Sequence, residues 1–186
     1  MNVYQNCPTF VTPRFTLRKV RKEDSPALFK VYSDPSIQPY INADNCTRDF
    51  WFKTQEEMDA CMDMWLHAYE QGWFVRWAIL REKNPIGTME MFRRDDGEDG
   101  EGLGVLRIDV NCMYETADVH EELLRAVMPE LHELFGCQRI LSKAYPVMTR
   151  RRLALVVHGF LPYSKPLMGH NGMEYWDYWV RRHNAS

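Results

Sequence analysis

Two carboxylates, Glu90 and Asp109, fall on neighbouring segments with strand character, and a carboxylate held on a strand is a ready acceptor for a substrate proton. Alternation over 86–92 puts Glu90 with Thr88 and Phe92. Over 105–111 it puts Asp109 with Arg107 and Asn111, so either carboxylate could instead pair with an arginine across the sheet. Arg150, Arg151 and Arg152 open a predicted helix, where each cation opposes the helix dipole by roughly a few tenths of a kcal/mol. Such a run could hold phosphate or a substrate carboxylate, or form a solvated helix face. Cys112 follows the 105–111 segment without a neighbouring histidine to draw off its proton, so it reads as packing rather than as an acyl-carrying nucleophile. Tyr40, Trp51, Trp73, Trp77 and Tyr163 could line a ligand pocket, and His170 sits beside a turn. Residues of these types at isolated positions are more often core or rim.

The elements that must position these residues follow from periodicity. Residues 14–20 read as a strand, and Ser25-Pro26 as an N-cap with proline at the first helical position, opening a helix over 26–33 that stops before Pro35. The stretch 36–52 has no regular pattern. Apolar residues at Met58, Cys61, Met62, Trp65 and Tyr69 predict a helix over 54–71, with Gly72 as its stop. Strands over 74–80 and 86–92 join around Asn84-Pro85, and the acidic, glycine-rich stretch 95–102 reads as a loop. Residues 105–111 alternate as a half-buried strand should, with Leu106, Ile108 and Val110 on the apolar face. Asp118 and Glu121 form a capping box for a helix whose apolar stripe runs through Val119, Leu123, Val127, Leu131 and Leu134, kinked or split at Pro129. A strand over 137–145, a helix over 149–158 ended by Gly159, and a hairpin turning at Asn171-Gly172 between 161–168 and 173–181 complete the chain.

At 186 residues, 45% of them apolar, the chain suits one α/β domain spanning 1–186 with a sizeable core. A formal charge of −3 offers no broad basic face, so nucleic acid is a poor partner. No apolar run approaches the length of a membrane span, and no signal-like segment opens the chain. The expectation is a cytoplasmic protein without a membrane partner. Its five scattered cysteines lack metal-ligand spacing, so no metal site is expected and reduced thiols are.

A three-strand meander, then strand, helix, strand, helix and a terminal hairpin, is the order of the GNAT acyltransferase fold. The chain resembles its Rim type, the ribosomal-protein alanine N-acetyltransferases and their relatives. The resemblance lies in TPRFTLRKVRKEDSPALFKVYSDPSIQPYI at the start, in PIGTMEM, RIDV and FGCQRIL as the third, fourth and fifth strands, and in the helix-ending HGF. It implies a mostly antiparallel sheet of about seven strands, splayed between the fourth and fifth, with about four helices. It also implies transfer of an acetyl group from acetyl-CoA to a primary amine on a small molecule or peptide; a homodimer is compatible with it. Within that resemblance the backbone of Ile108, Val110 and Asn111 would hold the pantetheine arm. Thr116, Ala117, Asp118 and Val119 would supply N–H groups for phosphate, Arg151 would add a cation, and Glu90 or Asp109 would be the base.

The family's phosphate cradle, Gln/Arg-x-x-Gly-x-Gly/Ala, is absent: Glu115, Asp118 and His120 stand at its three places. Two carboxylates about 5 Å from a phosphate would each cost roughly 1 kcal/mol in water-like surroundings. The family's asparagine and serine after the fifth strand are replaced by Met148 and Arg151, and its frequent general-acid tyrosine by Leu155. The alternative these departures raise is a GNAT-shaped binding or regulatory module that no longer uses acetyl-CoA.

Overall fold

The computed structural model describes residues 2–46, 49–95 and 102–183. Ten strands and four α-helices follow one another as β1 (Phe10–Val11), β2 (Phe15–Lys19), α1 (Ser25–Tyr32), α2 (Gln55–Glu70), β3 (Val75–Arg81), β4 (Asn84–Arg94), β5 (Leu103–Val110), α3 (Ala117–Phe135), β6 (Arg139–Lys143), α4 (Thr149–Val157), β7 (Leu161–Pro162), β8 (Leu167–Met168), β9 (Glu174–Tyr175) and β10 (Tyr178–Arg182). Eight of the strands form one sheet, ordered β1-β2-β3-β4-β5-β6-β10-β7, and β8 and β9 pair separately. Every pairing is antiparallel except β5 with β6, the pair that the resemblance numbers fourth and fifth. Most of the acidic stretch expected as a loop, 96–101, lies outside the described residues.

One face of the sheet carries Trp77, Ile79, Met89, Leu106, Ile108 and Val110 into a core shared with α3 and α4. On the other face Ala78 and Leu80 pack with Leu28, Val31, Met58, Met62 and Trp65 of α1 and α2. β5 is therefore buried on both faces, which corrects the half-buried reading of its alternation. Its charged residues do not face solvent; they meet a layer of partners beneath α1 and α2. A sequence pattern reports which residues share a face, and not what covers it.

Several local expectations are also corrected. Asp24, not Ser25, is the N-cap residue of α1; its carboxylate takes two guanidinium N–H groups of Arg18 and the N–H of Arg21, while Ser25 turns to Asp59 of α2. The β3–β4 turn falls at Glu82 (φ 58°) and Lys83, with Arg81 opposite Asn84. Pro85 lies inside β4 beside a register shift at Ile79 and Leu80, a place where a missing N–H is tolerated. Thr116 is the N-cap residue of α3, and Asp118 lies inside the first turn without a capping box. The helix runs unbroken through Pro129, which is exposed, on a side where water can take up a carbonyl left without its helical donor. The terminal hairpin is shorter than expected, because Leu167 and Met168 pair with Tyr175 and Glu174 alone. Its turn is closed by Gly169 and Gly172, the latter at φ 75°.

Candidate active site

β5 and β6 run side by side only from Leu103 with Arg139 to Leu106 with Ser142. Beyond that point the register ends, so the 107–110 part of β5 has no partner strand on that side, and the chain diverges toward the N-termini of α3 and α4. A cavity of about 370 Å³ opens there, lined among others by Ser36, Tyr40, Cys112, Glu115, Met148 and Arg150. A somewhat larger hollow, about 480 Å³, lies away from the splay between the β1–β2 turn and α3. Size favours the second; the first lies where the parallel strands diverge, between the segments that follow β5 and β6.

Beneath α1 and α2 the sheet carries a buried polar layer on β3, β4 and β5. Glu90 lies between two arginines, its cross-strand neighbours Arg76 and Arg107, with an ion pair to each. Arg76 also stacks 3.9 Å above the ring of Trp65 and donates to Thr88 Oγ1 at 2.9 Å. Thr88 Oγ1 lies 2.7 Å from the Tyr32 hydroxyl, which donates to Asp109 Oδ2 at 3.1 Å. Asp109 Oδ1 is buried and has no hydrogen-bond partner. Burial raises the carboxyl pKa of Asp109, and the field of Arg76 and then Arg151 offsets only part of that. Gly87 explains how β5 comes so near β4 here: a Cβ at Gly87 would stand 2.0 Å from the Asp109 carbonyl oxygen. Asp44, from the stretch that the sequence left irregular, accepts from Lys143 and from the Tyr178 hydroxyl. Its own carbonyl takes Arg107 at 2.7 Å.

On the helical side the three consecutive arginines have three different fates. Arg151 is buried and makes two bonds to Glu115, from Nε at 2.9 Å and from Nη2 at 2.8 Å. Burial alone would raise the Glu115 pKa, yet the opposing field of Arg151 outweighs it and holds the carboxyl down at about 2. His120 Nε2 lies 3.0 Å from Glu115 Oε1, off the line of a hydrogen bond. Burial lowers the pKa of His120, which keeps the ring neutral near pH 7. Arg152 lies over the ring of Trp179, and Arg150 lines the cavity from an exposed position. Asp118 is exposed; it takes the Thr116 hydroxyl at 2.5 Å and Arg14 at 2.7 Å, and these two contacts lower its pKa.

The residues singled out by sequence thus divide. Ile108, Val110, Asn111, Thr116, Ala117, Asp118, Val119 and Arg151 all stand on the two segments that diverge from β5 and β6, and Glu90 and Asp109 lie in the buried polar layer beneath α1 and α2. Of the five aromatics, only Tyr40 lines the cavity. Trp77 is core, its Nε1 donating to the Pro8 carbonyl, while Trp51 and Trp73 are exposed. Tyr163 packs against the smaller core of Leu103, Val105 and Leu141. Sequence reasoning missed Tyr32, Asp44, Arg76 and Lys143. One signal was present: Arg76 stands between apolar residues inside β3, unlike Arg81 at its exposed end, which marks a charge that must find a buried partner. No disulfide joins the five cysteines. Among the described residues there is no cluster suited to a metal ion, and no helix long and apolar enough to cross a membrane.

A mostly antiparallel sheet with one parallel pair that parts at mid-sheet is the architecture of the GNAT fold. The family model described as an acetyltransferase (GNAT) domain matches residues 14–155, and the chain belongs to that family. Among solved structures it is similar to RimL, a ribosomal-protein alpha-N acetyltransferase in complex with coenzyme A. That likeness has a TM-score of 0.72 and 14% identity over 95% of this chain and 98% of that one. It is also similar to RimJ of Mycobacterium smegmatis in complex with a CoA disulfide, with a TM-score of 0.70 and 14% identity over 93% and 84%. For AAC(6')-Ib with ribostamycin and coenzyme A the TM-score is 0.67, with 14% identity over 91% and 93%. Among curated proteins, none matches the chain by sequence.

Proposed function

We propose that this protein is a single-domain N-acyltransferase that moves an acetyl group from a pantetheine thioester, acetyl-CoA in the first instance, to a primary amine on a small molecule or peptide. The observation that carries this reading is Asp109: a buried carboxylate with a raised pKa and one unpartnered oxygen, three residues past the point where β5 and β6 part. The thioester end of the donor fits the cleft, because the 107–110 stretch of β5 offers backbone groups that no strand satisfies on that side. The nucleotide end fits less well, since no glycine cradle opens α3 and the cations there, Arg14 and Arg151, are already held by carboxylates.

In this reading the amine nitrogen attacks the thioester carbonyl carbon, so that a C–N bond forms as the C–S bond breaks. Asp109 accepts one proton from the incoming ammonium, and the leaving thiolate takes the next. A base works best with a pKa near the working pH, and burial moves Asp109 in that direction. Glu90 is the poorer candidate because its charge is held between Arg76 and Arg107. Tyr40 and Ser36 at the cavity rim are placed to touch the acceptor.

The alternative, a GNAT-shaped binding module that has given up acetyl-CoA, is favoured by one observation, the Glu115–Arg151 pair closed across the helical walls of the cleft. The deciding experiment is calorimetric titration with acetyl-CoA alongside thiol-release assays over a panel of amines, on wild type and Asp109→Asn. Binding with amine-dependent thiol release that is lost in Asp109→Asn supports the transferase. No heat at millimolar donor and no release would retire it in favour of the binding module.

A further inference from the structure

We infer that this enzyme recognises its acyl donor through the pantetheine thioester and takes little affinity from the nucleotide phosphates, so that its donor class is pantetheine thioesters in general. This rests on the acyl-transfer reading above. The start of a helix attracts anions because its first N–H groups lack partners, and here that attraction is cancelled by side chains. Glu115 and Arg151 neutralise each other through two bonds in a buried pair, so Arg151 has no charge to spare. Burial keeps His120 neutral. On the outer side of α3 one cation, Arg14, serves two carboxylates, Asp118 at 2.7 Å and Glu122 at 2.5 Å. The first two turns of α3 therefore present net negative charge, and Glu121 adds to it. Among the described residues that line the cavity with Glu115 the cation is Arg150, which is exposed, so that solvent screens it. A nucleotide diphosphate brought to this mouth meets repulsion where the fold would ordinarily supply attraction. The uncharged pantetheine arm meets only the open edge of β5.

The test compares CoA with pantetheine by calorimetry, and acetyl-CoA with acetyl-pantetheine by thiol release with the best amine of the panel, each at low and high salt. The expected result is that removing the nucleotide changes Kd and kcat/KM by less than about tenfold, and that CoA affinity holds steady or rises with salt. Arg150→Ala is expected to leave the CoA to pantetheine ratio within about threefold of wild type. A preference for CoA above tenfold, CoA binding that weakens with salt, or a selective loss of CoA affinity in Arg150→Ala would overturn the inference while leaving the transferase standing. Failure of both donors to bind or react would overturn the two together.

Discussion

Glu115 and Arg151 join the walls that continue from β5 and β6 by two parallel bonds of 2.9 and 2.8 Å, both side chains about 95% buried. Removing one partner of such a pair strands the other charge away from water, and about 3–5 kcal/mol is the expected loss for Arg151→Met alone. Glu115→Leu with Arg151→Met should recover most of that loss, since no charge is left stranded. The acid limb gives an independent check. The Glu115 pKa is depressed from its ordinary value to about 2, so its contribution is fully present above the ordinary glutamate range and is lost as pH falls through about 2. Denaturation curves of the wild type and the double variant should therefore converge in strong acid.

Asp109 has the opposite linkage. Its pKa is raised, so whatever stability it contributes is complete below the ordinary aspartate range, near 3.9, and is lost as pH rises through the folded value. Asp109→Asn should accordingly be neutral or stabilising at pH 7 in a thermal melt, while amine-dependent thiol release falls by about a hundredfold or more. In the wild type, kcat/KM should rise with pH through the raised pKa, and that limb should be missing in the variant. A variant that loses activity only in proportion to lost folded protein would remove Asp109 from the mechanism.

Glu90 is tied on both sides by its cross-strand neighbours, and its removal should be read in stability. Glu90→Ala leaves Arg76 and Arg107 facing each other inside the sheet, at an expected cost of about 3–5 kcal/mol by urea denaturation. If instead Glu90→Ala kept its stability and lost its turnover, the roles given to Glu90 and Asp109 would have to be exchanged.

Gly87 sets the approach of β4 to β5 at the Asp109 carbonyl. Adding one methyl group there demands a backbone shift, because the atom it meets is main chain and cannot swing aside. Gly87→Ala should lower stability by about 1–3 kcal/mol or more, and in the folded fraction it should reduce turnover by displacing Asp109. Gly172→Ala, at a loop position with open space around it, is the control; it should cost about 1 kcal/mol through its positive φ and spare activity.

Most of the fold was legible in the sequence because its signals are local. The 3.6-residue spacing through Met58, Cys61, Met62, Trp65 and Tyr69 becomes α2, and Val119 to Leu131 becomes the buried stripe of α3. The errors arose where a distant partner decides. Pro129 leaves its helix unbroken on an exposed side, the charged face of β5 is covered by α1 and α2, and Asp118 turns away from capping toward Arg14, 104 residues earlier in the chain. At the candidate site, sequence gives residue types and positions along the chain but not which charges meet. Glu115 read as a repulsion awaiting a phosphate, because nothing in its neighbourhood announces that Arg151 will fold onto it. Asp44, Tyr32 and Lys143 carried no periodic signal linking them to the cleft, since the first lies in an irregular stretch and the others occupy ordinary positions on α1 and β6.

Asp118 offers a contrast with the buried Glu115, and it tests the electrostatic account of donor choice at low structural risk. Its side chain is 65% exposed and its partner Arg14 is 42% exposed, so breaking the pair should change stability by about 0–1 kcal/mol. Asp118→Asn removes one negative charge from the first turn of α3 and leaves Arg14 with Glu122 alone. If a donor nucleotide approaches that turn, losing a repulsion of roughly 1 kcal/mol should tighten CoA binding about fivefold and leave pantetheine unchanged. The gain should fade as salt is raised, because an exposed charge is screened within about 10 Å at 0.1 M. Adding Glu122→Gln should extend the effect, since Arg14 would then face the donor without a carboxylate partner at 118 or 122. Calorimetry with the two ligands at two salt concentrations reads all of this. Equal tightening for CoA and pantetheine would trace the change to the shape of the loop, and no tightening in either variant would place the nucleotide away from α3.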